Sequence, residues 1–451
     1  MLGRFLDYIA EQHLFPTGQE VLLAVSGGRD SVAMAELFHR AGIPFAIAHC
    51  NFHLRSLSST SRSSLPDCDR DQRFVQALAK AYGVPFHTAD FDTHAYASLH
   101  RQSIEEAARE LRYSFFATLC VQRGYVCVAT AHHRDDAVET FFLNLFRGTG
   151  IAGLHGISPF SELHMPAGTV RVVHPMLPFS RNEINMFVAR HSLAYVDDYT
   201  NELADVRRNQ LRLKLLPTLR TSFPDLDTVM TSNMARFSEA GILYAERVEE
   251  WRSALVHQVE SKVPGLEGCI HSIDVDRLMS LAPRRTILYE ILHPYGFNIA
   301  TVDEILSGRT RSGAMFFSSS HEASLQGSRL LLAPKDMPMP QLRLTIAPCV
   351  SPNVQALPST EILVDADLLH QPLVLRPWAE GDRFSPFGMK GFKLVSDFLK
   401  EQRVSRIERR YVNLLVDADG QVVWVVGFRA DNRFRLTEST RQAFRVIVHP
   451  F

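Results

Sequence analysis

Two strings in the chain bring together residue types that can do chemistry. The first, Ser26-Gly-Gly-Arg-Asp-Ser31, follows the apolar run Val21–Val25 and opens the helical pattern Val32–Phe38. Two glycines at a helix start free backbone N–H groups at the positive end of the helix dipole, which makes an anion cradle. The loop has no lysine and the chain has no GxxxxGKS or GxxxxGKT string, so a Walker-type phosphate site is excluded. A carboxylate beside such a cradle, here Asp30, makes sense mainly if a divalent cation bridges it to phosphate. Capping of the following helix is the competing role, and the two can coexist.

The second string is Thr130-Ala-His-His-Arg-Asp-Asp-Ala-Val-Glu-Thr140, which runs through Phe141–Phe146 to Arg147-Gly-Thr-Gly150. On a helix, His132, Asp136 and Glu139 stand at i, i+4 and i+7, a stripe of about 60° at roughly 100° per residue. Val138, Phe141, Phe142 and Leu145 are expected to form the opposite, buried stripe. A polar stripe of a histidine and two acids at the carboxyl end of a strand is where a doubly wound fold places its chemistry. A solvated helix face, a metal site on His132 and Asp136, and capping are the competing readings. Two arginine pairs accompany these strings. Arg208 and Arg212 project together at i, i+4, and their forked guanidinium groups suit phosphate, with a solvated basic helix face as the competing reading. Arg109 and Arg112, three apart, share a face and suit either a phosphate contact or pairing with Glu105 and Glu106.

These strings need a frame. Short β-branched runs (Glu20–Val25, Pro44–His49, Val84–Thr88, Tyr125–Ala131) alternate with amphipathic stretches (Ser31–Arg40, Asp69–Tyr82, Ser103–Arg123), the pattern of a parallel sheet with helices on both faces. Ser103-Ile-Glu-Glu106 has the form of a capping box. The class expected is α/β, a doubly wound, Rossmann-like sheet whose ligands bind beyond the carboxyl ends of its strands. Ser56–Ser64 is too polar to pack and reads as a surface insertion. From about Pro224 a helical pattern covers Asp225–Ser261, and Ser312–Ala333 reads as strands with turns. From about Leu342 the runs LVLRPW, VVWVVGF and FRVIVH alternate like strands around a helical piece at Ser396–Gln402. The division expected is therefore a catalytic domain over 1–221, a mainly helical middle domain over 222–340 and a smaller α+β domain over 341–451.

Composition limits the choice of function without making it. With 48 Lys and Arg against 49 Asp and Glu, the net charge of -1 gives no global sign of a polyanion partner. Locally, Arg376–Arg410 holds nine basic residues against five acidic ones, a surplus that phosphate contact would use and that an ordinary solvated surface would also show. The six cysteines include no CxxC pair, against a zinc ribbon, an iron–sulfur site or a disulfide framework. No run has the length of a membrane span and the start is not that of a signal peptide, so a cytoplasmic location is expected.

The SGGxDS loop resembles that of the N-type ATP pyrophosphatases, or PP-loop enzymes. That resemblance implies ATP cleavage between the α and β phosphates, pyrophosphate held by Ser26, Gly27, Gly28 and Ser31 with Arg29 in the same loop, and magnesium on Asp30. Within this superfamily, four further segments are similar to the tRNA(Ile)-lysidine synthetases. They are His49-Cys-Asn-Phe-His-Leu-Arg55, Ala108-Arg-Glu-Leu-Arg-Tyr113, the His132–Gly150 string, and Asp198-Tyr-Thr-Asn201 followed by Arg207–Arg212. Arg376–Arg383 and Pro386–Gly391 resemble that family's carboxyl-terminal domain. The first segment departs from the family pattern: Phe52 stands where the second histidine is usual, and the histidine falls at His53.

The resemblance implies ATP-dependent joining of free L-lysine to the wobble cytidine of a tRNA(Ile) with a CAU anticodon, through an adenylated cytidine. His49 and Asn51 would lie along the adenylate, and His132 or Asp136 would serve as base. Glu139 would hold a lysine ammonium and Arg208 would stabilise phosphate charge. Arg109, Arg112, Arg212, Arg383, Lys390 and Lys393 would bind tRNA; a homodimer is left open, and no membrane partner is expected. The alternatives are a PP-loop tRNA thiolase, which would need a cysteine pair or cluster, and a catalytically idle nucleotide- or tRNA-binding module.

Overall fold

A computed structural model describes residues 1–54, 67–196, 206–307, 312–349, 357–389 and 391–450. The Ser56–Ser64 insertion, Asp198–Asn201 and Lys390 lie outside them. The chain forms two compact units, Met1–Leu243 and Tyr244–Phe451.

The first unit begins with α1 (Leu2–Glu11), β1 (Val21–Ala24), α2 (Arg29–Ala41), β2 (Phe45–Asn51), α3 (Asp67–Tyr82) and β3 (Phe86–Asp90). It continues through α4 (Thr93–His100), α5 (Ile104–Arg123), β4 (Val128–Ala129), α6 (Arg134–Arg147), β5 (Phe160–Met165), β6 (Gly168–Val173) and α7 (Arg181–Arg190). The six strands lie in the order β3-β2-β1-β4-β6-β5. β1, β2, β3, β4 and β6 are parallel, and β5 returns antiparallel along β6 as an edge hairpin. The expected doubly wound sheet is therefore present. Its chain order reverses between β1 and β4, which opens a crevice at their carboxyl ends.

Burial explains the sheet's composition. Leu23, Ala33, Leu37, Phe38, Ile47 and Val75 pack one face with α2 and α3, while Leu22, Ala46, Phe116, Val128 and Val172 pack the other with α5. The expected capping box forms, with Ser103 accepting from Glu106 N–H and Glu106 accepting from Ser103 N–H. Beyond α7 the chain makes α8 (Val206–Gln210), a π-helical turn (Leu211–Leu215), α9 (Leu216–Ser222) and α10 (Leu226–Leu255), which passes into the second unit.

In that unit, β7 (Val256–Gln258), β8 (His271–Asp274), β9 (Met315–Phe317), β10 (His321–Gln326) and β11 (Arg329–Pro334) form a five-stranded sheet, with strand order β7-β8-β11-β10-β9. Three short helices, α11 (Val275–Met279), α12 (Arg284–Leu292) and α13 (Ile299–Leu306), accompany it. The strands read from sequence near the carboxyl terminus are present at Val374–Pro377, Val422–Val425 and Ala443–Pro450, with a helix at Val395–Glu401. One core runs across residue 341: Val263, Leu266, Ile270, Leu331 and Ala333 pack with Phe384, Val395, Phe398, Leu414 and Val425. Among the described residues, no helix is long and apolar enough to cross a membrane.

Candidate active site at the β1–β4 crevice

The glycine loop leaves the end of β1 and enters α2. Gly27 has φ +94°, a conformation that L side chains rarely adopt, and a Cβ there would meet Val75 Cγ2 at 3.3 Å. The backbone therefore favours glycine, and a side chain there would also press on Val75. Ser31 Oγ donates to Gly28 O at 2.8 Å and lies 3.3 Å from Ser26 Oγ, so both hydroxyls are drawn into the loop. The helix is capped by Gly28; Asp30 stands in its first turn, so the capping alternative for Asp30 does not hold. Arg29, placed with the phosphate ligands by sequence, points elsewhere. Its guanidinium donates to Asn185 Oδ1 at 2.7 Å and Tyr195 Oη at 3.0 Å and stacks on the Tyr195 ring, fastening the loop to α7.

Across the crevice, the chain leaves β4 through Thr130–His133 and enters α6. His132 is not on the helix, which begins at Arg134, so the three-residue helical stripe is corrected to two residues on α6 and one in the preceding turn. The N-cap falls at His133 because its N–H donates to Asp136 Oδ2 at 3.0 Å. His132 Nδ1 lies 2.9 Å from Thr130 Oγ1, and its ring packs 5.1 Å from that of His174, which follows β6. Burial, with the neighbouring His174, brings the His132 pKa down to about 4, so the ring is neutral near pH 7. Burial also lowers that of His174. For Asp136, burial pushes the carboxyl up, but the His133 and His132 rings and the His133 N–H outweigh it. The result lies below the usual carboxylate range.

His133 joins the two sides of the crevice. Fully buried, it has Nε2 3.8 Å from Asp30 Oδ2 and Nδ1 3.4 Å from Asp136 Oδ2, and among the described residues neither ring nitrogen has a hydrogen-bond partner. Sequence reasoning passed over it, although the doubled histidine was a visible signal. It also missed Arg181, 3.9 Å from Asp30, and His174, whose only hint was its place at a strand's carboxyl end.

Glu139 departs most from expectation. Its side chain is only 2% exposed, and both oxygens are engaged: Arg212 donates from Nε at 2.6 Å and from a terminal nitrogen at 2.9 Å, and Arg208 Nε donates at 3.0 Å. The carboxylate is committed to the two arginines, where an open lysine-ammonium site was expected. Arg212, expected on tRNA, is likewise turned inward, with a further 3.4 Å contact to Asp136. On the expected buried stripe Val138 and Phe141 are buried, but Leu145 is half exposed.

His49 is buried, with Nδ1 2.9 Å from Val25 O, and Asn51 donates to Asp69 and Gln72. Arg109 lies over Tyr113 and Arg112 over Phe52, in place of pairing with Glu105 or Glu106. In the second unit, Arg383 and Lys393 occupy paired two-residue strands; Arg383 lies over Phe392 and Lys393 pairs with Glu401.

Residues 4–219 match the PP-loop domain family, 267–335 the TilS substrate binding domain and 373–447 the TilS substrate C-terminal domain. The tRNA(Ile)-lysidine synthase of Parabacteroides distasonis is 36% identical over 97% of this chain and 98% of its own length. That of Bacteroides thetaiotaomicron is 34% identical over 99% and 98%, and that of Porphyromonas gingivalis 34% over 97% and 96%. With a PP-loop crevice in its first unit and relatives aligned from end to end, the chain belongs to the tRNA(Ile)-lysidine synthase family.

Proposed function

We propose that this protein joins free L-lysine to the wobble cytidine of a CAU-anticodon tRNA(Ile), consuming ATP and forming lysidine, AMP and pyrophosphate. The observation that carries the reading is the facing of the Ser26–Ser31 cradle and Asp30 with the His132–Asp136 turn across one crevice, bridged by His133. Two chemistries, phosphate release and proton removal, then share one site.

In the first step the cytidine 2-oxygen attacks the α-phosphate and pyrophosphate departs into the loop. Ser26, Ser31 and the N–H groups at the start of α2 receive its charge. Asp30, a partly exposed carboxylate beside the cradle, suits magnesium, which takes oxygen ligands from one or two carboxylates and substrate phosphates. Bound there, the ion would offset phosphate charge. In the second step the lysine ε-amine displaces AMP. Its ordinary pKa is about 10.4, so it must lose a proton first. His132 is the base we favour over Asp136: its ring is neutral near pH 7, Nδ1 is held by Thr130, and Nε2 has no hydrogen-bond partner among the described residues. Asp136 is already engaged by the His133 N–H and Arg212. Glu139 is a positioning residue, fixing Arg208 and Arg212 toward the crevice.

Of the three parts expected from sequence, we assign catalysis to 1–221 and most tRNA contact to 222–340 and 341–451; Arg109 and Arg112 in the first part and Arg383, Lys390 and Lys393 in the last are assigned as phosphate contacts. The thiolase alternative finds no support: the thiols of Cys50 and Cys127 are both pushed up to about 12, chiefly by burial, so they would be poor sulfur carriers. Incubation with ATP, labelled lysine and a CAU-anticodon tRNA(Ile) tests the proposal. Label should pass to RNA with one AMP released per lysine, and ATP consumption without labelled RNA would refute it.

A further inference from the structure

At the carboxyl edge of β2 and β3, His53, Cys68 and Asp69 bring one nitrogen, one sulfur and one oxygen donor together. His53 Nδ1 lies 4.0 Å from Cys68 Sγ and 4.0 Å from Asp69 Oδ1, and Cys68 Sγ lies 3.7 Å from the same oxygen. A tetrahedral zinc with bonds of about 2.0–2.3 Å needs its donors roughly 3.3–3.6 Å apart, so closure asks for shifts of about half an ångström.

The groups around this trio are already arranged as an outer shell. The other ring nitrogen of His53, Nε2, lies 3.0 Å from Asp90 Oδ1, which places its proton there and leaves Nδ1 with a lone pair facing the sulfur. The Asn51 amide donates at 3.0 Å to the Asp69 oxygen that faces the other two donors, fixing that carboxylate. Cys68 is buried, whereas His53 and Asp69 are partly open to solvent, so a fourth ligand could be water.

The geometry points to a zinc site formed by His53 Nδ1, Cys68 Sγ and a carboxylate oxygen of Asp69, with the fourth position open. Thiolate with imidazole selects zinc over magnesium, which prefers oxygen donors in an octahedron. The site is separate from the magnesium proposed at Asp30 and does not rest on the lysidine reaction. Residues 53 and 68 stand on either side of the Ser56–Ser64 insertion in sequence, so the ion would tie its two ends together. A cysteine binds zinc as the thiolate, so an entering cation displaces the thiol proton.

Cobalt(II) titration of the full chain, freed of metal under reducing conditions, tests the site because a thiolate ligand gives a near-ultraviolet charge-transfer band that oxygen and nitrogen ligands do not. One equivalent should produce the band with release of a proton, and zinc should abolish it by displacement. Cys68→Ser should lose the band while Cys269→Ser keeps it. Asp90→Asn, which touches no metal, should weaken zinc about 10- to 100-fold. His53→Ala changes a half-exposed side chain and should abolish tight binding without loss of fold, checked by circular dichroism. No band in the wild type, or a band that persists in folded Cys68→Ser, would overturn the site.

Discussion

Arg212 Nε and Glu139 Oε1 are 2.6 Å apart although 73 residues separate them in sequence, and with the 2.9 Å contact at Oε2 they form a forked pair. Arg208 completes it from one helical turn earlier.

Removing the acid from this trio should release both arginines at once. Glu139→Gln is therefore expected to lose adenylation and lysine transfer together, because Arg208 and Arg212 no longer face the crevice. Trapping α-phosphate label on tRNA without lysine checks this; adenylated tRNA accumulating in the variant would restore Glu139 as a lysine ligand. The converse change, Arg212→Met, should cost about 3 kcal/mol of stability, the low end for breaking a buried pair, since Arg208 remains and Arg212 is partly exposed. A double-mutant cycle measures the coupling.

Asp30 is partly exposed and lies in the first turn of α2, where an acid stabilises the helix by only about 0.3–1 kcal/mol. Asp30→Ala should thus keep its melting temperature to within a few degrees. Pyrophosphate release should fall by at least roughly 100-fold, as the loss of several kcal/mol of charge stabilisation requires. A near wild-type rate would remove Asp30 from the metal site.

Acid should weaken the first unit through His132. With its folded pKa at about 4 against the ordinary 6.5, the unfolded chain takes up a proton between those values and the folded one does not. Stability from this group is thus complete above about pH 6.5, falls as pH drops toward 4 and then levels, a loss of about 3 kcal/mol in all. Urea midpoints at pH 7 and pH 5 should differ less in His132→Gln than in wild type. In wild-type turnover His132 should give no inflection near pH 6.5; an acid limb there that vanished in His132→Gln would contradict a neutral ring.

Cutting the chain after Pro340 should damage more than RNA binding. Val263, Leu266, Ile270, Leu331 and Ala333 would lose the cover given by Phe384, Val395, Phe398 and Leu414. Residues 1–340 are expected to be aggregation-prone, whereas Arg383→Ala and Lys393→Ala in the full chain should keep the fold and flatten the dependence of tRNA affinity on salt. An unchanged slope would take both residues off the RNA.

What the sequence discloses is what is encoded locally. The glycine loop, the Ser103 capping box and the β-branched strand runs near the carboxyl terminus each depend on residues a few positions apart, and each stands where it was read. The start of α6 shows the limit: two adjacent histidines precede it, and only the bond from His133 N–H to Asp136 decides which one caps the helix and which leaves it. The fate of Glu139 was hidden for a different reason. A polar residue on an amphipathic helix reads as solvated until its partners are known, and these arrive 69 and 73 residues later, Arg208 from α8 and Arg212 from the π-helical turn after it. The β5–β6 hairpin and the core running across residue 341 were likewise hidden, being made by pairings between distant segments.

That shared core also sets an order of events at the ribosome. The strands ending at Pro334 emerge first, and the residues that cover them, as far as Val425, follow about 90 positions later. At synthesis rates of about 5–20 residues per second, the apolar side of Leu331 and Ala333 stays uncovered for roughly 5–18 seconds. The nascent chain thus passes through an interval in which a chaperone, or a neighbouring nascent chain, competes for the surface that its own carboxyl-terminal residues will later claim.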